Sequence, residues 1–195
     1  MKMKARRVSG FSLTELVVAM AVAIVLMAVA LPYFLRAYRS YQLSGAATQV
    51  ADMLRLTRYE AIRRNRTVNC VIGPDGTDPT RTDASMTDVN GNALTGMGAR
   101  AISLGAGGNL VAAGSWASSL PSRAALGATT PTAVPPAGGT VQFDARGALI
   151  AGNVTVFYLN APGSPDSGFR AVLLMPAGSI QIWSSDSAGN WLQLR

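Results

Sequence analysis

The sequence predicts an α+β protein in which one long N-terminal helix, transmembrane in its first part and amphipathic in its second, packs on a C-terminal head of antiparallel β-sheet. Three observations carry this. Leu16 to Leu35 runs for twenty positions without a charge. Beyond Arg36, apolar residues recur at spacings of three and four. From Thr67, and again from Thr140, β-branched residues alternate with others between turn-forming Gly, Pro and Asp.

As a helix, the uncharged run rises about 1.5 Å per residue and so matches the roughly 30 Å hydrocarbon core of a bilayer. A basic decapeptide with Lys2, Lys4, Arg6 and Arg7 precedes it and argues for a cytoplasmic N-terminus, an asymmetry that Arg36 and Arg39 on the far side weaken. Glu15 is the one acid in the first fifty residues and stands at the mouth of the run. A carboxylate there costs up to a few kcal/mol, less near the interface than at mid-bilayer, so it calls for a cation. Pro32 removes a backbone donor and crowds the preceding turn, which predicts a kink or local unwinding near Ala28 to Pro32.

The amphipathic stretch places Leu43, Ala46, Ala47, Val50, Met53, Leu54, Thr57, Ala61 and Ile62 on one face, with Gln49, Asp52, Arg55 and Glu60 elsewhere. Gly45 weakens the helix without ending it, and a single helix is expected from about Ser12 to Asn65. A strand follows at Thr67 to Ile72, with Val68, Cys70 and Ile72 pointing one way, so that Cys70 reads as a small buried hydrophobe.

From Gly73 to Gly139 the composition shifts to Gly, Ala, Ser, Thr and Pro with poor periodicity. Short strands are expected there at Ala101 to Leu104 and Leu110 to Trp116, and loop elsewhere. Past Thr140, Val141 and Phe143 lead into Asp144-Ala145-Arg146-Gly147, where Asp suits the start of a turn and Gly its left-handed close. Ala148 to Ile150, Val154 to Leu159, Arg170 to Met175 and Ser179 to Trp183 then read as successive strands, Pro176-Ala177-Gly178 joining the last two. Trp191 to Leu194 adds an edge strand or pins the C-terminus.

Composition narrows function. The 195 residues have room for one anchoring helix and one head. Of the formal net charge of +7, the decapeptide accounts for four positive charges, and residues 36–66 set seven arginines against Asp52 and Glu60. Cys70 is alone, so no intrachain disulfide can form, and there is no His, the commonest general base and zinc ligand. Asp75, Asp78, Asp83 and Asp88 suggest a calcium loop, but Asp88-Val89-Asn90-Gly91-Asn92 has the wrong spacing for an EF-hand. No Ser or Cys is flanked by a recognisable base and no acidic pair has catalytic spacing, so no enzyme activity, cofactor or metal is expected.

A basic leader ending in Gly10, then Phe11, then Glu15 four residues on, then about twenty apolar residues interrupted by Pro32, resembles the prepilin signature of type IV pilins and type II secretion pseudopilins. The resemblance implies a pilin-like fold, cleavage by prepilin peptidase between Gly10 and Phe11, and N-methylation of Phe11. It further implies that Glu15 pairs with the N-terminal amine of a neighbouring subunit, a contact that sets register more than stability. The chain then divides into a cleaved leader, 1–10; a transmembrane helix, 11–35; an amphipathic helix, 36–66; and a β-rich head, 67–195, with an irregular insert at 73–139. Two plainer readings stand beside this one: a secretory signal with its exit at Ala28-Val29-Ala30, and a single-pass anchor that never polymerises. The mature N-terminus separates the three, at Phe11, Leu31 or Met1.

Two further stretches, Glu60 to Val68 and Phe143 to Gly147, resemble the minor pseudopilin H and FimT group. What that group implies is a structural subunit near the tip of a type II secretion pseudopilus that supports protein export, with prepilin peptidase and other pseudopilins or pilins as partners. It would sit in the bacterial inner membrane as a single-pass protein, its N-terminus cytoplasmic before cleavage and its head periplasmic, and assemble into a periplasmic or surface filament. A FimT-like minor pilin of a type IV pilus is the alternative. A DNA-binding receptor for natural transformation is a third reading. Its contacts would be Arg55, Arg58, Arg63, Arg64 and Arg66, because the Met175 to Ile182 hairpin, where FimT-like proteins carry arginines, has no Arg or Lys. Phosphate binding needs several cations on one surface, and without interleaved aromatics that cluster fits a solvated or subunit-contacting face better than nucleic acid.

Overall fold

A computed structural model describes residues 12–76, 78, 81–95, 101–104, 108–114, 131–161, 167–186 and 190–194. The chain divides into two units, Met1–Ala37 and Tyr38–Arg195, and helix α1 (Leu13–Arg64) contributes to both.

In the first unit every described residue is exposed. An α-helix satisfies its backbone polar groups internally, and its side chains from Leu16 to Leu35 carry no charge, so nothing in that stretch requires water. Among the described residues α1 is the one helix long and apolar enough to cross a membrane. Ser12 caps its start: Oγ accepts from the Glu15 amide at 3.2 Å, and the Ser12 carbonyl accepts from Leu16 N–H at 3.2 Å. The backbone stays helical through Ala28 to Pro32, so the local unwinding expected at Pro32 does not occur.

In the second unit α1 buries Leu43, Ala46, Ala47, Val50, Met53, Leu54, Thr57 and Ala61, from the stripe that its periodicity marks out, and Ala51 beside them. Ile62, expected on that stripe, is 47% exposed, and Glu60, expected on the polar side, is 2% exposed. The helix ends in a Schellman motif. Asn65 takes the left-handed conformation (φ 49°), its N–H donates to the Ile62 carbonyl at 3.1 Å, and Arg66 N–H reaches the Ala61 carbonyl at 3.2 Å. Asn tolerates this conformation better than most residues with a Cβ, which is why the helix stops there.

Two sheets complete the head. The first has the order β3-β2-β1-β6, from β1 (Val68–Pro74), β2 (Thr82–Thr87), β3 (Ala101–Ser103) and β6 (Gly139–Phe143), all antiparallel. The second has the order β10-β9-β8-β7-β4, from β4 (Asn109–Leu110), β7 (Thr155–Asn160), β8 (Phe169–Leu174), β9 (Ile180–Ser185) and β10 (Trp191–Leu194). β5 (Thr132–Ala133) runs parallel to β7 along its edge.

The main core joins the α1 stripe to both sheets: Val68, Cys70 and Ile72 of β1, Ala84 and Met86 of β2, Phe143 of β6, Phe157 and Leu159 of β7, Val172 and Leu174 of β8. Strands β7 and β8 are apolar on both faces, and their other side builds a second cluster of Val154, Val156, Tyr158, Ala171 and Leu173 with Trp183 and Trp191 packed against it. The Trp191 ring lies 6.3 Å from that of Tyr158, which ties β10 to the sheet.

The 73–139 stretch holds more structure than its composition predicts. β2 lies within it as the partner of β1 across six residue pairs, and β5 lies near its end. β2 reads Thr-Asp-Ala-Ser-Met-Thr, with Thr82, Ala84 and Met86 buried and the alternate residues half-buried. Its inward residues are small or flexible, so hydrophobicity alone does not announce it. The strand expected at Leu110 to Trp116 is confined to Asn109–Leu110; residues 111–114 are irregular, and 115–116 lie outside the described residues. Ala148 to Ile150 is not a strand either. A single bridge, Phe143 to Leu149, replaces it, because Leu149 N–H turns instead to the Pro176 carbonyl at 2.9 Å.

Candidate functional site

The functional candidates fall into two groups, one in each unit. In the first, Gly10 and Phe11 lie outside the described residues. Glu15 sits in the opening turn of α1, where a negative charge is favoured by the helix dipole. Its neighbours Leu13, Leu16, Val17 and Val18 are all more than half exposed, and among the described residues no cation forms an ion pair with it. The Ser12-Leu13-Thr14-Glu15 spacing is that of a capping box, a signal in the sequence that pins the helix start beside the acid.

The second group is the helix exit. Glu60 Oε2 accepts from Arg63 Nη2 at 2.7 Å and from Arg64 Nε at 2.8 Å. Burial on its own would raise this carboxyl, but the hydrogen bonds and charges of Arg63 and Arg64 outweigh it and hold the pKa below the ordinary carboxylate value. Arg64 also donates to the Thr95 carbonyl at 3.0 Å, so it ties the helix to the chain beyond β2.

One turn earlier, Arg58 Nε donates to the Gly147 carbonyl at 3.0 Å. Gly147 (φ 79°) closes the Asp144 turn, whose carboxylate accepts from Arg146 and Ala148 amides at 2.9 and 2.8 Å. Gly178 (φ 80°) closes the β8–β9 turn, and a Cβ there would collide with the Gly147 carbonyl. Two tight turns from different sheets therefore stack on one arginine of the helix, which is possible only because both closing residues are glycine.

The five arginines named as potential phosphate contacts are thus largely engaged within the chain. Arg58, Arg63 and Arg64 hold the structure just described, and Arg55 pairs with Asp52 at 2.7 Å on an exposed face. Arg66 lies close enough to Asp88 to help lower that carboxyl, after the hydrogen bonds from Asn92. Asp88 itself accepts from the Asn90 and Asn92 amides at 2.9 and 2.8 Å, so this acid shapes a turn. Cys70 is fully buried, and burial pushes its thiol up to about 12, which leaves it protonated and inert.

A family model, Type II transport protein GspH, matches residues 46–178, more than half of the chain. The chain belongs to the GspH family. A second model, the Prokaryotic N-terminal methylation motif, matches residues 5–31 and so covers the end of the basic leader with Arg6, Arg7 and Gly10, Glu15 and most of the apolar run. For this GspH-family chain the motif implies processing by prepilin peptidase and partners of the pilin class. The GspH match begins on the buried face of α1 and ends at Gly178, so it encloses the Arg58–Gly147–Gly178 junction. Among solved structures, two crystal forms of the type IV minor pilin FimU from Pseudomonas aeruginosa (strain PAO1) match with TM-scores of 0.46 and 0.44 at 16% identity. They cover 80% and 78% of this chain and 94% and 97% of their own. A comparison with curated proteins gives no match.

Proposed function

We propose that this GspH-family protein is a minor pseudopilin, a structural subunit near the tip of a type II secretion pseudopilus. Prepilin peptidase removes residues 1–10, Phe11 becomes the methylated N-terminus, α1 anchors the subunit in the bacterial inner membrane, and the head stands in the periplasm. The observation that carries this reading is Glu15. It lies at the head of an exposed apolar helix with no ion-pair partner among the described residues. A carboxylate so placed is costly in lipid until a cation reaches it. Cleavage after Gly10 creates a cation in the right region, the amine of Phe11. In a single chain that amine is four residues from its own Glu15, whereas in a packed filament it meets the Glu15 of a neighbour. The structural rather than catalytic role agrees with the inert Cys70 and with arginines occupied by intramolecular contacts.

Deleting the gene and scoring exoprotein release, twitching and transformation separately tests this assignment. Loss of exoprotein release with normal twitching and transformation is the expected result. Loss of twitching with intact secretion would assign the subunit to a type IV pilus instead. Loss of transformation alone would mark a DNA receptor.

A further inference from the structure

Arg170 is 6% exposed, on a strand of the head, and lacks a carboxylate partner among the described residues. Among the described residues its guanidinium meets only neutral groups. Nε donates to Ser44 Oγ at 3.1 Å, Nη2 to Ser40 Oγ at 2.9 Å, and Nη1 to the Phe169 carbonyl at 3.0 Å. Buried charges are ordinarily paired with an opposite charge, since desolvation of an ion costs several kcal/mol. Burial pulls the Arg170 pKa below the ordinary arginine value.

The same side chain lines an open pocket of about 600 Å³ between the ends of β8, β9 and β10 and the Ser40 turn of α1. Its wall carries the polar side chains of Ser40, Ser167, Ser184 and Asn190 beside the apolar surface of Trp191 and Leu192. Gly168 (φ 72°) forms one side, where a Cβ would collide with the Ser185 carbonyl, so the backbone is drawn in tightly at this point. Donors remain for a guest. Nη1 carries a second hydrogen beyond its bond to Phe169, and Ser40 Oγ, which accepts from Arg170, keeps its own hydrogen to give.

We propose that this pocket binds a carboxylate, with Arg170 as the anchoring cation and the Ser40 hydroxyl as a second donor. The charge of the site selects the class of ligand. Arg170 supplies a single buried cation, and Asp186 on the same wall, its carboxylate held by Asn190 at 2.9 and 2.8 Å, disfavours a dianion such as phosphate. A carboxylate accepts two hydrogen bonds side by side, one available from Nη1 and one from the Ser40 hydroxyl. Its source can be a free small acid or the Asp or Glu side chain of another protein. The inference stands apart from the secretion assignment, because it rests on the head alone.

The test uses the full chain in detergent micelles, with the side-chain nitrogen resonances of Arg170 followed by NMR at constant ionic strength. The titrants are sodium acetate, sodium chloride, and a capped tripeptide carrying Glu or, as control, Gln. We expect a saturable Arg170 shift with acetate or the Glu peptide and none with chloride or the Gln peptide. Acetate alone acting would identify a free acid as the guest, and the Glu peptide alone a protein side chain. Asp186→Asn should tighten binding by about two- to fivefold through loss of one nearby like charge, while Ser40→Ala should weaken it. An Arg170 signal that does not move, or that moves equally with chloride, would overturn the proposal and leave the guanidinium as a tether between β8 and α1.

Discussion

Helix α1 carries two carboxylates in opposite circumstances. Glu60, near its C-terminal end, is buried in the head and finds two cations, Arg63 and Arg64, within four residues on its own helix. Glu15, at its N-terminal end, lies among exposed apolar side chains and has no such partner among the described residues. The first pair closes inside one chain and serves the fold. The second has no such closure among the described residues, and under the assignment proposed above its counter-charge comes from another subunit. On that proposal the same chemical group serves the fold or the assembly according to where its counter-charge comes from.

Moving or removing these charges should have unequal consequences. Glu15→Val is expected to insert and be cleaved normally yet to enter filaments about tenfold less, or worse, corresponding to at least ~1.4 kcal/mol of lost pairing; quantifying the subunit in isolated filaments against total membrane protein checks this. Gly178→Ala attacks the stacked turns of the head and should cost about 2–3 kcal/mol through the combined left-handed strain and collision, read from urea unfolding of the detergent-solubilised protein.

Glu60→Gln comes next, at about 1–3 kcal/mol for lost charge-assisted hydrogen bonds, since Arg63 and Arg64 retain access to water. The same pair gives a pH signature. The folded-state pKa of Glu60 lies below its ordinary 4.5, so its stabilisation is complete above that value and disappears as the pH falls through the lower folded-state value. The Glu60→Gln protein should therefore lose less stability than wild type on acidification through that range. Gly45→Ala should have the smallest effect and the opposite sign. Nothing lies within 4 Å of a Cβ built there, so better helix propensity should stabilise the head by up to about 1 kcal/mol.

Much of this architecture is legible in the residues. The α1 stripe, the inward set Val68, Cys70 and Ile72, and the turn at Asp144 to Gly147 follow from spacing and turn chemistry. Glu60 is buried although a Glu followed by Arg at three and four residues has the pattern of a surface ion-pair ladder. Yet position 60 lies three residues after Thr57 and beside Ala61, both buried, so the helical wheel held the clue. β2 escaped because its inward residues, Thr82, Ala84 and Met86, carry little β-branched character, and its pairing with β1 is what gives them a face to bury. The stacking of Gly147 and Gly178 on Arg58 joins residues far apart in sequence, which no local pattern reports.

The claim that matters most is that Glu15 finds its cation on another subunit. Zero-length carbodiimide coupling of assembled filaments, followed by mass spectrometry, addresses it directly. We expect an amide joining the Glu15 carboxyl to the N-terminal amine of a neighbouring subunit, with residues 1–10 absent. Filaments in which those ten residues persist, or in which Glu15 couples to no neighbouring amine, would contradict it.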